Sequence, residues 1–421
     1  MLSLSSYVPQ RSAAGSRIRT SQKRYTYGHI QHSQPDHTVI ATKALSMVKQ
    51  LGDHYMVIGP DIHREDVNLE FEEDAELLKS WRQTLYNDGV RIKVGRWKIA
   101  GSPIAILVDF SQYFTKKDDV LKFLWESYRV DSISGQWDYI EPVLFGVAAA
   151  KVVESYTASF CTPNDKVVAH FHEWMTSSGG LYLQKKMPYI ATVFTTHATV
   201  MGRSIAGNGL PLYGDLTTLN ADDLARRFGV VAKHSLEKIA AANYDCFATV
   251  SDLTARECKY LLGKEVDIVT PNGFEDDFVW PDEQLAESRR SSREQMIRVA
   301  EICLGIKYDQ PPLIVGTSGR YEFKNKGLDV FELASSGDAP KRPVLAYITV
   351  PAGNLGPRKD LQACLNDPSA QVDPSVIRNI THYLEAPQWD PVIGKIRGTK
   401  LEDPACPVQL IFVPCYLNGN D

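Results

Sequence analysis

The sequence predicts an α/β protein of two domains with parallel sheets, and three observations carry that expectation. Short β-rich runs alternate with helix-like stretches from His37 almost to the last residue, the order in which helices come to cover a parallel sheet. A length of 421 residues is enough for two or three domains with ample core. Several of the short runs end in polar residues or glycine, where open parallel sheets collect their ligands.

The elements follow in order. HTVIATKALSMVKQLG (37–52) has helical period and leads into the short strand HYMVIGP (54–60). FEEDAELLKSWRQTLYNDG (71–89) reads as one helix closed by Gly89. IAILVDF (104–110) is a buried strand, followed by the helical stretches DDVLKFLWESY (118–128) and EPVLFGVAAAKVVESY (141–156). KVVAHF, IATVFTT, CFATVS and VDIVTP then come as strands, with LARRFGVVAKHSLEKIAAANY (224–244) helical among them. A polar stretch holding Pro281 precedes SSREQMIRVAEICLG (291–305), where Ser292 and Gln295 fit a capping box and Met296, Val299, Ala300 and Cys303 share a face. The interdomain connection is expected here. The domains are therefore drawn as 37–290 and 291–421.

Beyond Pro311 only PLIVGTS, LAYITV and VQLIFVPC read as convincing strands, fewer than the five or six of a full doubly wound domain. The second domain is thus expected to be partial. Residues 351–405 read as helices and irregular structure, and VQLIFVPC is expected to expose a backbone edge and an apolar face. Residues 1–36 hold five Arg or Lys, many serines and one acid, Asp36. The composition is like a transit peptide, but the segment is taken as disordered or foreign to the fold, for a reason given below.

Composition narrows function. A formal charge of −5 gives no support to nucleic-acid binding. Seven scattered cysteines without a C-x-x-C pair suggest neither a zinc site nor a disulfide framework, so a reducing cytoplasm is the expected location. No apolar run reaches the ~18 residues needed to span a bilayer, and no membrane role is expected.

Four strand ends carry the candidate chemistry. KVVAHF runs into His172-Glu173-Trp174, and IATVFTT ends at His197 with Arg203 shortly after. VDIVTP ends in Asn272-Gly273, and PLIVGTS ends in Gly319-Arg320, with Lys326-Gly327 opening a helix. Each has a plainer reading. His170 and His172 form an H-x-H pair without a third metal ligand at a known spacing. A lone His197 serves equally as a structural histidine, and Asn-Gly is a common turn. Arg320 and Lys326 also fit a solvated loop. Together, though, glycines, a guanidinium and a lysine before a helix make a diphosphate cradle, the layout of a nucleotide-sugar enzyme.

HFHEWM (170–175), FTTHATVMGR (194–203), FGVVAKHSLEKIAA (228–241), TVSDLTARE (249–257), TPNGF (270–274) and GRYEFKNKG (319–327) closely resemble the eukaryotic-type glycogen synthases, glycosyltransferase family 3. GRWKIAGSPIAILVDF (95–110) and WDYIEPVLFGVAAAKVVESY (137–156) are similar too, and the likeness runs in order from His37 onward. The resemblance implies a GT-B architecture, two Rossmann-like domains facing a cleft. It implies transfer of glucose from UDP-glucose to the non-reducing end of glycogen or another α-1,4-glucan, with retention, and with no metal or other cofactor. Carried over, Arg320 and Lys326 hold and neutralise the diphosphate, His197 contacts the donor glucose and reaction centre with Arg203 nearby, and Glu173, Asn272 and Gly319 line the site.

Two departures accompany the resemblance. The family's Lys-Val-Gly-Gly-type loop is replaced by GHIQHSQPD, which is why 1–36 are taken as foreign. The family's Tyr-Glu-Pro-Trp-Gly segment and paired glutamates would follow Val413, and Glu385 in YLEAPQW has no acid eight residues later. The expectation is a fragment with little or no transferase activity by itself. A non-catalytic nucleotide-sugar or glucan-binding protein and another GT-B enzyme, such as a sugar-nucleotide epimerase, are the alternatives. The oligomeric state, a homo-oligomer included, is left open.

Overall fold

A computed structural model describes residues 2–4, 35–61, 71–87, 89–273, 281–324, 326–329, 342–399, 401, 403 and 405–415. The chain divides into two compact units, Met1–Glu275 and Asp276–Asp421. The division falls before the expected 290/291 boundary, because the polar residues after Pro281 begin a helix of the second unit rather than a linker.

Among the described residues the first unit holds a nine-stranded sheet. Its strands are β1 (Leu2–Leu4), β2 (Met56–Pro60), β3 (Phe71–Glu73), β4 (Arg91–Trp97), β5 (Ile104–Asp109), β6 (Val168–His172), β7 (Ala191–Thr196), β8 (Cys246–Thr249) and β9 (Ile268–Val269). They lie in the order β3-β4-β5-β2-β1-β6-β7-β8-β9, antiparallel from β3 to β5 and parallel thereafter. β1 corrects an expectation. Within the amino-terminal segment taken as foreign, Leu2–Leu4 pairs with Met56–Ile58 on one side and Ala169–Phe171 on the other. Three backbone units between β2 and β6 satisfy the ladder, and a Ser- and Arg-rich surrounding sequence concealed them. Residues 5–34, the rest of that expectation, lie outside the described residues.

Two helical readings were too long. Phe71–Glu73 is a strand paired to β4, and helix α2 covers only Lys79–Asn87. Asp74 explains the break, since its Oδ1 accepts from the N–H groups of Glu76 and Leu77 and turns the chain locally. The stretch 224–244 is two helices, Ala221–Phe228 and Val231–Asn243, separated at Gly229, whose φ of +67° ends the first.

After α3 (Lys117–Tyr128), the core of this unit centres on helix α4 (Trp137–Phe160) against α5 (Glu173–Lys186). α4 is apolar around most of its circumference and is buried accordingly. Contrary to the sequence expectation, this helix is by length and composition able to cross a membrane, but most of it is packed inside the unit. Glycines let the two backbones meet: a Cβ on Gly146 would stand 2.3 Å from Ser178 Oγ, and one on Gly179 2.4 Å from the Gly146 carbonyl oxygen.

In the second unit, Asp282–Leu304 is one helix. Ser292 lies in its interior rather than at a cap, because Glu, Gln, Leu, Ala and Arg from 283 to 290 are good helix formers and carry the helix through. The expected face holds: Ala300 and Cys303 are buried, with Met296 and Val299 packed beside them. β10 (Leu313–Ser318), β11 (Val344–Thr349) and β14 (Val408–Val413) form a parallel three-stranded sheet, joined by a small antiparallel pair, β12 (Asn354–Pro357) and β13 (His382–Leu384).

The expected exposure of the last strand does not occur. Leu410 and Phe412 pack under Val392, Ile393 and Ile396, while Ile411 packs on the other face with Leu345 and Tyr347. Its free edge is partly covered as well. The Phe412 N–H donates to the Asn379 carbonyl at 2.7 Å, the Thr381 N–H to the Phe412 carbonyl at 3.1 Å, and Asn379 Nδ2 to the Leu410 carbonyl at 2.7 Å.

Candidate functional site

Parallel pairing puts the carboxyl ends of β6, β7, β8 and β9 at one edge of the first sheet, so His172, Thr196, Thr249 and the residues after Val269 share that edge. The strand order reverses about β1, between β2 and β6, the kind of switch point at which open α/β sheets bind ligands. Here lies a continuous polar cluster. Lys43 Nζ, from helix α1 (Pro35–Leu51), is 3.1 Å from His172 Nε2, and His172 Nδ1 is 3.1 Å from His197 Nε2. The His170 and His172 rings stack at 4.1 Å between centroids, and His170 Nε2 is 2.8 Å from Thr195 Oγ1. Glu173 is buried at the start of α5 with φ +64°, a strained backbone for a non-glycine residue. Its Oε1 accepts the His197 N–H at 3.0 Å.

Burial sets the charge states. It pushes His170 and His172 well below the usual imidazole range, helped by the nearby Lys43 ammonium. His197 comes down to about 4, chiefly by burial and then by Lys43 and Arg203. Burial also lowers Lys43, to about 8, which leaves it charged at neutral pH. The cluster is one ammonium beside neutral imidazoles. The H-x-H pair is engaged in this network, and among the described residues no three His, Cys, Asp or Glu side chains come together to hold a metal ion.

A second layer holds the turn after β7. Glu237, fully buried, accepts from Thr196 Oγ1 and the Val200 N–H, each at 2.9 Å. Glu257 accepts from Thr199 Oγ1 at 2.7 Å, and Thr199 caps helix α6 (Val200–Gly207), on which Arg203 sits. Burial raises the Glu237 carboxyl to about 7. Between the unfolded value of 4.5 and about 7, the folded chain keeps a proton that the unfolded chain releases, so this contribution to stability is lost as pH rises. Glu237→Gln, which cannot ionise, is expected to remove it. Urea midpoints of both proteins at pH 5 and pH 8 check this: the stability difference between them shifts by on the order of 2 kcal/mol, and a pH-independent difference would refute it.

The second unit carries the other candidates. β10 is followed directly by Gly319, whose φ of +148° requires glycine. Arg320 is half-buried and pairs with Glu322 at 3.1 Å. The Lys326 N–H donates to the Glu322 carbonyl at 2.9 Å, while the Lys326 side chain is exposed. Gly327 turns at φ +66° and Leu328 anchors the loop in the core. The helix expected here lies outside the described residues from Val330 onward.

The structure thus brings His197 and Glu173 together, with Arg203 on the adjacent helix. Asn272 is exposed beyond β9 on the same unit, and Gly319, Arg320 and Lys326 share a loop on the other. Lys43, Glu237 and Glu257 were missed. The signal was present for two of them. Lys43 falls on the stripe of Ile40, Ala44 and Met47, and Glu237 on that of Ala240 and Ala241, positions where helical spacing predicts apolar residues.

The glycogen synthase family model matches residues 34–341. Glycogen [starch] synthase of Dictyostelium discoideum is 30% identical over 337 residues, covering 75% of this chain and 37% of the relative. That of Neurospora crassa is 30% identical over 335 residues, covering 75% and 46%. The chain therefore spans less than half the length of these curated relatives. A solved α,α-trehalose 6-phosphate synthase of Burkholderia multivorans matches 99% of this chain and 72% of its own at 14% identity and a TM-score of 0.47, a likeness that leaves the assignment resting on sequence. On the family match and the relatives' identities, the chain belongs to the glycogen synthase family.

Proposed function

We propose that the chain serves a retaining glucosyl transfer from UDP-glucose to the non-reducing end of an α-1,4-glucan. What carries this reading is the buried Lys43–His172–His197 cluster at the carboxyl edge of a parallel sheet, in a chain of this family. His197 meets the donor hexose and the reaction centre, with Arg203 nearby. Glu173 holds the His197 backbone, and Asn272 lines the site. Arg320 and Lys326 bind the diphosphate and offset the charge that grows on it as the glycosidic bond breaks, the task divalent metals perform in many phosphate enzymes. Gly319 lets the backbone approach that group. The reading includes a cytoplasmic location, in keeping with seven free thiols.

The test is calorimetry of the purified chain with UDP and UDP-glucose, beside an assay of labelled glucose transfer to glycogen. Arg320→Ala is expected to weaken UDP binding by about 1.5–3 kcal/mol, the worth of a charged hydrogen bond. An unchanged affinity removes Arg320 from the cradle. Binding without transfer fits both the little or no transferase activity expected of this chain by itself and a non-catalytic nucleotide-sugar binder, transfer excludes the latter, and absence of UDP-glucose binding overturns the reading.

A further inference from the structure

The hydrogen bonds through the cluster run in one direction. An ammonium has only protons to give, so Lys43 Nζ donates to His172 Nε2 across 3.1 Å. His172 is fully buried beside that ammonium and held neutral, so its single proton sits on Nδ1. That proton points along the 3.1 Å contact to His197 Nε2, which must accept. His197, also neutral, is left with its proton on Nδ1, and Nδ1 is buried without a hydrogen-bond partner. The backbone of His197 is fixed independently by Glu173 Oε1.

We propose that Lys43 and His172 are positioning residues that lock His197 in the Nδ1–H tautomer, so that it presents one N–H donor to a substrate hydroxyl. An orphaned buried donor costs free energy unless an acceptor arrives. A sugar hydroxyl supplies that acceptor. A neutral imidazole grips it without adding positive charge beside an anomeric carbon that is itself becoming positive. The identity of the acceptor rests on the function proposed above, whereas the tautomer does not.

The experiment uses the full chain with 15N-labelled histidine. Long-range proton–nitrogen correlations at pH 7 report which ring nitrogen carries the proton, with His172→Gln and His197→Asn serving to assign signals. His172 and His197 are both expected as Nδ1–H without ligand. His197 protonated on Nε2 in the unsubstituted protein overturns the proposal. Lys43→Met is expected to let His197 populate both tautomers and to weaken UDP-glucose binding about tenfold while leaving UDP binding unchanged. Lys43→Arg is expected to restore both. A His197 tautomer unmoved by Lys43→Met overturns the proposal. Should Lys43→Met fail to fold, the spectra of the unsubstituted protein and of Lys43→Arg still decide. An Nδ1–H tautomer in a chain that does not bind UDP-glucose would sink the function reading and leave the lock standing.

Discussion

Gly179→Val is expected to cost the first unit about 3 kcal/mol or more, the upper end for overpacking a core. Gly179 sits in α5 where that helix meets α4, and an added Cβ would stand 2.4 Å from the Gly146 carbonyl oxygen and 2.7 Å from Phe171 Cε1. The first obstacle is backbone, so no rotamer change relieves it. The helices would have to part, and both are largely buried in the core of the unit. Because α5 begins at Glu173, the displacement would also reach the residue that holds His197. Gly214→Ala is the control, with nothing within 4 Å of the added carbon and an ordinary φ. It is expected to be neutral or slightly stabilising. Urea denaturation of the two variants checks the contrast, and equal midpoints would show that the close approach of α4 and α5 is not needed.

Arg358→Met is expected to destabilise the second unit by about 3–5 kcal/mol, the cost of breaking a buried ion pair from one side. Arg358 is 1% exposed and makes a fork to Asp360, with Nη2 to Oδ2 at 2.5 Å and Nε to Oδ1 at 3.1 Å. Its Nη1 donates to the carbonyls of Ile377 and Ile380 at 3.1 and 3.2 Å. These bonds tie down the segment that covers the edge of β14, so the variant is also expected to aggregate through that strand. Amide exchange at Phe412, whose N–H bonds to Asn379, is expected to accelerate, and unchanged protection would refute the account. Acid behaviour gives a second reading. The guanidinium holds the Asp360 carboxyl at about 2, so this contribution is complete above 3.8 and is lost as pH falls through about 2. The variant should lack that loss.

The alternation of strands and helices was legible because apolar runs of the right length, bounded by Gly, Pro and Asn, leave few other architectures. Boundaries failed where side chains intervened. Asp74 turns the chain before α2 by accepting backbone protons, which no periodicity reveals. Leu2–Leu4 escaped notice because a three-residue central strand owes its place to partners 54 and 167 residues away, Met56 and Ala169. The coverage of β14 depended likewise on residues 379–381, whose polar composition suggested irregular chain.

For the site, the residue types at strand ends were enough to nominate Glu173 and His197 in one unit and Arg320 and Lys326 in the other, since the parallel strands of each sheet deliver their ends to one edge of that sheet. The sequence by itself determined the fold class, the family likeness and these candidates, all of which depend on local pattern. Only the tertiary structure decided that Lys43 reaches His172, that His172 bridges to His197, and that burial keeps the imidazoles neutral. Charge state and proton position are set by what surrounds a group in space, and residues 129 positions apart become neighbours only when the sheet brings them together.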